Sequence, residues 1–352
     1  MDRRVVALIP AHNEENFIAG TLSGVKTQTV PADRIIVVAD NCTDGTAGIA
    51  RENGAEVFET TGNKHKKAGA LNQVLSVLLH ELDDDSLILI QDGDTVLNPE
   101  FIETAIRNLK PGIGGVCARY NCAPGGGLIG LFQRNEFARA RQRTIRKKGA
   151  TPILVGIAVV FPHSILREIV TAREAGKLPG RPEVYNVDSI TEDYELSLAV
   201  KHLGYQLISP DGCDPVTDVM LTVRALWHQR IRWYRGALDD LRRYGWSKVT
   251  RSYILKQAGW VASMLMTPLF LSYLIMLFST TGYHIHWSLP WASINLIFVA
   301  ERVISLRKEG IVSVLVSASL IPEIIFEAFL SIVYFRAAIK HLRGSAAQWV
   351  AT

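Results

Sequence analysis

Cysteine is scarce in this chain: Cys42, Cys117, Cys122 and Cys213 are the only four among 352 residues. Their spacing fits no zinc site and their density is far below that of a disulfide scaffold. Both classes are excluded, and the thiols read as free in a reducing compartment. Histidine supplies no metal centre either, since His12 and His228 have no partner at ligand spacing. Internal repeats and low-complexity tracts are absent, which argues against a repeat array. A signal peptide is also missing: the chain opens Met-Asp-Arg-Arg and runs straight into an apolar stretch ending at Pro10. The catalytic part is therefore expected to stay cytoplasmic.

What the chain does have is apolar residues, 48% of the total, with a net charge of only +4. The excess is concentrated after Tyr253, as in a soluble domain fused to a membrane part. Basic residues gather in two groups, from Arg139 to Lys148 and from Arg224 to Lys256. Such clusters suit nucleic acid or an anionic lipid surface. Beside an apolar run the lipid surface is the expectation, with no nucleic-acid partner.

Up to about residue 120, short β-rich runs alternate with segments of helical period. Strands are expected over Val5–Ile9, Ile35–Ala39, Glu56–Glu59 and Leu87–Ile90. Helices are expected over Asn16–Gln28, Asp44–Asn53 with Gly54 as C-cap, and Lys67–Leu82, which has a strong apolar face. This alternation predicts an α/β fold with a doubly wound, mostly parallel sheet. Such sheets bind ligands beyond the carboxyl ends of their strands, where Asn13, Glu14, Asp40, Asp92 and Asp94 fall. Gly125-Gly126-Gly127 reads as a flexible loop before a basic helix around Glu136–Lys148. Ile153–Phe161 reads as a buried strand and turn, and Ser189–Leu203 as a helix.

The organisation expected is a catalytic domain over residues 1–225, an interfacial amphipathic segment over 226–256 and a membrane region over 257–352. In the amphipathic segment, Trp227–Trp246 is read as lying flat on the bilayer. Residues 257–278 are long enough to cross a bilayer core of roughly 30 Å, and 290–306 form a second, shorter span. Arg307 and Lys308 follow the second span, while Ser279–Leu289 carries no Lys or Arg, so both ends are expected on the cytoplasmic side. Residues 311–335 contain Pro322, Glu323 and Glu327 and are read as re-entrant, interfacial or a third span.

Several motifs admit a chemical reading beside a structural one. Asp92-Gly93-Asp94 is an Asp-Gly turn or a site for Mg²⁺ or Mn²⁺, which bind through one or two carboxylates plus phosphate oxygens. Ser189-Ile190-Thr191-Glu192-Asp193 has the spacing of a capping box, and it also offers Asp193 as a general base for an acceptor hydroxyl. Asp40 heads an Asx-type loop, or accepts hydrogen bonds from a uracil imide or a ribose. Lys67 opens a helix with free amides that suit phosphate, or is a solvated basic turn. Gln229-Arg230-Ile231-Arg232-Trp233 joins an amide, two guanidinium forks and an indole face. These are groups that grip diphosphate oxygens and stack on a sugar ring.

Taken in order, these strings resemble family 2 glycosyltransferases of the GT-A fold, a Rossmann-like architecture. They are most similar to the membrane-bound hyaluronan, chitin, cellulose and poly-N-acetylglucosamine synthases. The matching strings are Ile9-Pro10-Ala11-His12-Asn13-Glu14-Glu15, Asp40 to Thr46, Lys67 to Asn72, Asp92-Gly93-Asp94, Thr191-Glu192-Asp193 and Gln229 to Trp233. The resemblance implies that Ala11, Glu14 and Asp40 hold the nucleoside, that Lys67 and Asp92 line the donor, and that Asp94, with Asp92, binds the metal. Asp193 would be the catalytic base, with Glu192 beside it. Gln229, Arg230 and Arg232 would stabilise the leaving diphosphate, and Trp233 would underlie the acceptor sugar.

The implied enzyme inverts the anomeric centre, takes its sugar from a UDP-linked donor, and passes it to a polysaccharide or membrane glycolipid. It would sit in the plasma (inner) membrane, with homo-oligomerisation as a way to enlarge its membrane region. A single-transfer polyprenyl-phosphate glycosyltransferase and a non-catalytic sugar-nucleotide-binding scaffold are the alternatives. The chain departs from the synthases in three ways. It begins with the first catalytic strand, Phe161-Pro162-His163 stands where they often have Phe-Arg-Arg, and the tail Gln348 to Thr352 keeps only part of their Trp-x-x-Thr ending.

Overall fold

The computed structural model describes residues 3–119, 121–281 and 289–344. In chain order the elements are β1 (Val5–Ala11), α1 (Ile18–Lys26), β2 (Arg34–Ala39), α2 (Thr46–Glu52), β3 (Glu56–Glu59), α3 (Lys66–Glu81), β4 (Leu87–Gln91), α4 (Phe101–Asn108), β5 (Ile113–Cys117), β6 (Asn121–Cys122), α5 (Gly127–Arg146), β7 (Ala158–Pro162), α6 (His163–Glu174), α7 (Glu192–His202), β8 (Gln206–Ile208), β9 (Val216–Thr217), α8 (Val223–Tyr244), α9 (Arg251–Thr281), α10 (Leu289–Leu306), α11 (Ile311–Ala318) and α12 (Ile321–Leu342). Contacts divide the chain into two compact units, the first ending at Leu226 and the second beginning at Trp227.

The first unit is built on a seven-stranded sheet of order β3-β2-β1-β4-β7-β5-β8. Strands β1 and β4 lie inside it and are almost wholly buried, as their continuous apolar runs require when both faces are covered. The edge strand β3 is short and ends in glutamates, which discourages pairing with another chain. Pairing is parallel throughout β3, β2, β1 and β4, with Ala11 beside Ala39 and Leu8 beside Ile90. Only β7 runs antiparallel, between β4 and β5. The register brings the carboxyl ends of β1 and β2 level, so Ala11 and Asp40 emerge at one rim of the sheet.

The first four strands and three helices lie where the apolar periodicity predicts them, with ends shifted by a few residues. Two local expectations need correction. The glycine run does precede the basic helix, with Gly125 and left-handed Gly126 outside it, but α5 already starts at Gly127, with Gly126 as its N-cap, rather than near Glu136. The Ser189–Glu192 capping box does not form: the N-cap of α7 is Thr191, with no side-chain cap bond, and Ser189 Oγ accepts a hydrogen bond from Thr191 N at 3.1 Å.

Helix α7 is fastened from beneath. Arg173 on α6 and Glu195 on α7 are buried, and Arg173 Nη2 donates to Glu195 Oε2 at 2.7 Å and Oε1 at 2.8 Å. Breaking a buried pair by removing one partner strands the other charge. Arg173→Met is therefore expected to cost about 3–5 kcal/mol, measured as a clear drop in the thermal midpoint. Arg51→Met, at the exposed pair with Glu59, should shift the midpoint little. Equal midpoints for the two variants would show that the buried pair does not hold α7.

The second unit is helical. Tyr234, Trp260 and Tyr334 form an aromatic cluster with centroids 4.5–5.5 Å apart, tying α8, α9 and α12 together. Glu323 is buried, paired with Arg302 and accepting a hydrogen bond from the Ser317 hydroxyl. Among the described residues no single helix is long and apolar enough to cross a membrane, but α11 and α12 qualify together, bent by 78°. The bend falls at Leu320, whose backbone is left-handed at φ 61°. The segments 257–278 and 290–306 fall within α9 and α10. The loop between them, from residue 282 to 288, and the tail from Gln348 to Thr352 lie outside the described residues.

Candidate active site

The loops that follow β1 and β2 are locked together. Asn13 and Asn41 take left-handed backbone conformations, at φ 59° and 49°, which asparagine tolerates better than most residues. Asn13 Oδ1 accepts from Thr43 N at 2.8 Å, and Glu15 Oε2 accepts from Gly45 N at 3.0 Å. Thr46 Oγ1 accepts from Glu14 N at 2.8 Å. Asp44 makes the Asx cap expected of this loop, accepting from Thr46 N at 3.0 Å. Asp40 is left for something else: it is buried, and its Oδ1 accepts from Asn41, Thr60 and Asn63.

The turn after β4 is pinned on both sides. Thr21 on α1 donates to Gly93 O at 2.7 Å, and Asp92 N donates to Ile157 O at 2.9 Å. Ala11 is buried and packs against Gly93. Lys67, at the start of α3, donates to Asp92 Oδ1 at 2.6 Å and to Gly156 O at 3.3 Å. The Asp193 carboxylate lies directly on Gly156: a methyl carbon there would sit 2.7 Å from Oδ1 and closer still to Oδ2. The structure thus joins Asp92, Lys67, Gly156 and Asp193 in one continuous array. Burial works against the charge of Lys67, but Asp92, Asp193 and Glu192 outweigh it and hold the amine well above its ordinary range.

Carboxylates outnumber cations at the mouth of this array. Burial, and then the carboxylates of Asp94, Asp92 and Asp44, push the Glu14 carboxyl up to about 7. Asp94 is raised too, first by burial of its carboxyl group and then by Asp92, although the residue as a whole is exposed. A divalent cation would relieve this repulsion, so the donor set fits one. Among the described residues no three His, Cys, Asp or Glu side chains are grouped as a protein-only cage.

Some contributors were not singled out by sequence reasoning. Gly156 has no motif around it. Asn72 belongs to the Lys67–Asn72 string, yet its task is structural. Its Nδ2 donates to Tyr185 O at 2.8 Å and its Oδ1 accepts from Tyr185 N at 2.9 Å, placing the Tyr185 ring beside Lys67 and Asp193. Burial, followed by Asp193, drives the Tyr185 phenol upward, so it stays protonated. Cys117 and Cys213 are buried free thiols, pushed up to about 12 by burial and therefore inert. His163 is fully buried, and burial lowers it below the ordinary range.

The Gln229 to Trp233 string lies on α8, in the second unit. The Arg230 guanidinium stacks over the Trp233 ring, 4.4 Å from its centroid. Part of the indole surface expected to face a sugar is thus covered by an arginine of the same string. Gln229 Oε1 is buried with no hydrogen-bond partner among the described residues.

The sequence matches the model of Glycosyl transferase family 2 over residues 6–170. This chain carries a family 2 glycosyltransferase domain. The matched stretch contains Glu14, Asp40, Lys67, Asp92, Asp94 and Gly156, and the protein is a glycosyltransferase. Among named relatives it is similar to poly-beta-1,6-N-acetyl-D-glucosamine synthase of Staphylococcus epidermidis. The two are 25% identical over 370 residues, which cover 97% of this chain and 85% of that protein. The Staphylococcus aureus (strain MSSA476) protein of the same name is 25% identical over 247 residues, or 68% of this chain and 56% of the relative. Among solved structures it is similar to the mannosyltransferase PcManGT from Pyrobaculum calidifontis, in complex with GDP-Man and Mn²⁺. The TM-score is 0.60 at 20% identity, over 98% of this chain and 89% of that one. That likeness establishes the fold, which is GT-A.

Proposed function

We propose that this family 2 glycosyltransferase moves a sugar, with inversion, from a UDP-linked donor to a growing polysaccharide or membrane glycolipid at the cytoplasmic face of a membrane. The observation that carries the reading is the array of Asp92, Lys67, Gly156 and Asp193 at the carboxyl end of β4 in a mostly parallel sheet. It sets an acidic group one residue away from a cation paired with a donor-side carboxylate. The relatives named poly-beta-1,6-N-acetyl-D-glucosamine synthase support N-acetylglucosamine as the sugar and a polymer as the product.

In this reading Asp193 takes the proton of the acceptor hydroxyl as its oxygen bonds to the anomeric carbon. The bond from that carbon to the diphosphate oxygen breaks, and the nucleotide leaves with the electron pair. Lys67 is held charged beside Asp92, so it supplies fixed positive charge on the donor side. Asp94 and Asp92 would hold a divalent cation, whose chemistry is to neutralise charge on the departing diphosphate. The resemblance assigns Gln229, Arg230 and Arg232 to the leaving diphosphate, a kind of charge for which preorganised electrostatics contribute most to rate. Trp233 is assigned to the acceptor sugar.

The membrane reading is supported by the surface of the second unit. Leu265, Met266, Leu269 and Ile275 on α9, Leu296, Ile297 and Phe298 on α10, and Ile324, Ile325 and Phe335 on α12 are all exposed. An apolar surface of this extent needs a cover, and lipid fits the basic residues between Arg242 and Lys256.

Nucleotide release by the detergent-purified chain, offered UDP- and GDP-sugars with Mn²⁺ or Mg²⁺, tests the reading. Release from one UDP-sugar is expected, abolished by EDTA and restored by Mn²⁺. A ladder of product lengths would establish the polymer, whereas a single sugar on a lipid carrier would replace it with a single transfer. Binding of UDP without turnover of any donor, with or without acceptor, would reject the enzyme.

A further inference from the structure

The hydrogen bonds around Asp40 leave it a single acceptor atom. Asp40 is 7% exposed. Its Oδ1 accepts from Asn41 Nδ2 at 2.9 Å, Thr60 Oγ1 at 2.8 Å and Asn63 Nδ2 at 2.8 Å. A carboxylate oxygen offers about two lone-pair sites, so three donors saturate it. Oδ2 accepts no hydrogen bond among the described residues.

The donors are themselves fully used. The second hydrogen of the Asn41 amide goes to Asn63 O at 3.1 Å, and that of the Asn63 amide to Lys66 O at 2.8 Å. The Thr60 hydroxyl has only one. Asn63 is fixed in turn by His65 N, which donates to its Oδ1 at 2.9 Å. Gly69 lets this loop close, since a methyl carbon there would lie 2.8 Å from His65 Cβ and nearer still to Asn63 Oδ1. The three donors therefore form a built clamp rather than a chance contact.

We propose that Asn41, Thr60 and Asn63 determine the base of the donor: by filling Asp40 Oδ1 they restrict Asp40 to one imide N–H, which admits uracil and disfavours guanine. This rests on the reading above that Asp40 meets the nucleobase. Uracil presents one N–H between two carbonyls, and Oδ2 alone satisfies it. Guanine presents an imide N–H and an amino group side by side, a pair that a carboxylate satisfies only with both oxygens free. With Oδ1 saturated, the guanine amino group loses its partner, and an unmet donor at a closed site weakens binding by roughly tenfold to a hundredfold. The clamp residues do not touch the base, so they act as positioning residues through Asp40.

Calorimetric titration of the purified full chain with UDP and with GDP, in the presence of Mn²⁺, tests this. UDP is expected to bind at least tenfold more tightly. The variant Asn41→Gly with Thr60→Val removes two donors and leaves Asn63 to hold the loop. Glycine takes the left-handed backbone of position 41 without strain. The UDP-to-GDP ratio should shrink by about tenfold in this variant, mainly through tighter GDP binding, at an unchanged thermal midpoint. Thr60→Val alone should move it in the same direction by less, which covers a double variant that fails to fold. Equal affinities in the natural chain, or a ratio that neither folded variant moves, would overturn the proposal and leave the transferase reading intact. An Asp40→Asn variant with the natural ratio would show that the base lies elsewhere. Failure of both nucleotides to bind would remove the donor-site reading together with the inference.

Discussion

Replacing Asp193 by asparagine should reduce sugar transfer by about 10²- to 10⁴-fold, the usual contribution of a general base, while nucleotide binding stays close to that of the natural chain. The two halves of this expectation have separate causes. Asparagine matches aspartate in shape, so α7 keeps its seat on Arg173 through Glu195, but it cannot take the acceptor's proton. Donor binding should survive because Lys67 keeps the largest of the charges that hold it protonated, Asp92, with Glu192 behind it. Its 2.6 Å contact is with Asp92, which the substitution leaves in place. The loss should therefore fall on kcat, with the donor KM nearly constant. Transfer within a few-fold of normal would remove Asp193 from the chemistry. A parallel loss of UDP binding would instead make it part of the donor site.

That assignment was partly legible from the chain. The strands were readable because central parallel strands are continuous apolar runs, and β1 and β4 are such runs. Their carboxyl ends then located Glu14, Asp40, Asp92 and Asp94 without further help, since the rule that ligands bind there depends only on topology. The start of α7 was less readable. Ser189 and Glu192 have capping-box spacing, but a local spacing rule does not sense that Glu195 is drawn onto Arg173 on α6, and α7 begins at Glu192. The strand β7 was readable within the buried run Ile153–Phe161, but its place in the sheet was not. Its antiparallel pairing with β4 is a contact between residues about seventy positions apart, which no local period records.

Fine geometry was the least legible. The left-handed asparagines at 13 and 41 look in sequence like ordinary loop residues, and the threefold saturation of Asp40 Oδ1 depends on residues 20 and 23 positions further on. The stacking of Arg230 on Trp233 follows from i, i+3 spacing on a helix, so it was available from sequence once the segment was known to be helical. Gly156 could not be read at all, because its importance is the absence of a side chain beneath a carboxylate that arrives from residue 193.

Gly156→Ala is the sharper test of the site, because it inserts one methyl group and changes no charge. The added carbon would lie 2.7 Å from Asp193 Oδ1 and still nearer to Oδ2 and Cγ, so the carboxylate must move. Asp193 is only half-buried and can swing toward solvent, which relieves the clash cheaply. The thermal midpoint should then hardly change. Catalysis has no such escape, because a misplacement of about 1 Å at the reacting centre can cost on the order of 10²-fold in rate. The turn is also the one whose carbonyls meet Lys67 and the Asp92 backbone, so any shift it takes up disturbs the donor side as well. Gly114→Ala is the contrasting variant. Its methyl would lie 2.5 Å from Val200 Cγ1 and 2.7 Å from Tyr205 Cβ, inside the core, where strain has no outlet, and it should lower the midpoint instead. A Gly156→Ala enzyme that folds normally and transfers sugar at the natural rate would mean that the reaction does not need the Asp193 carboxylate where this fold places it.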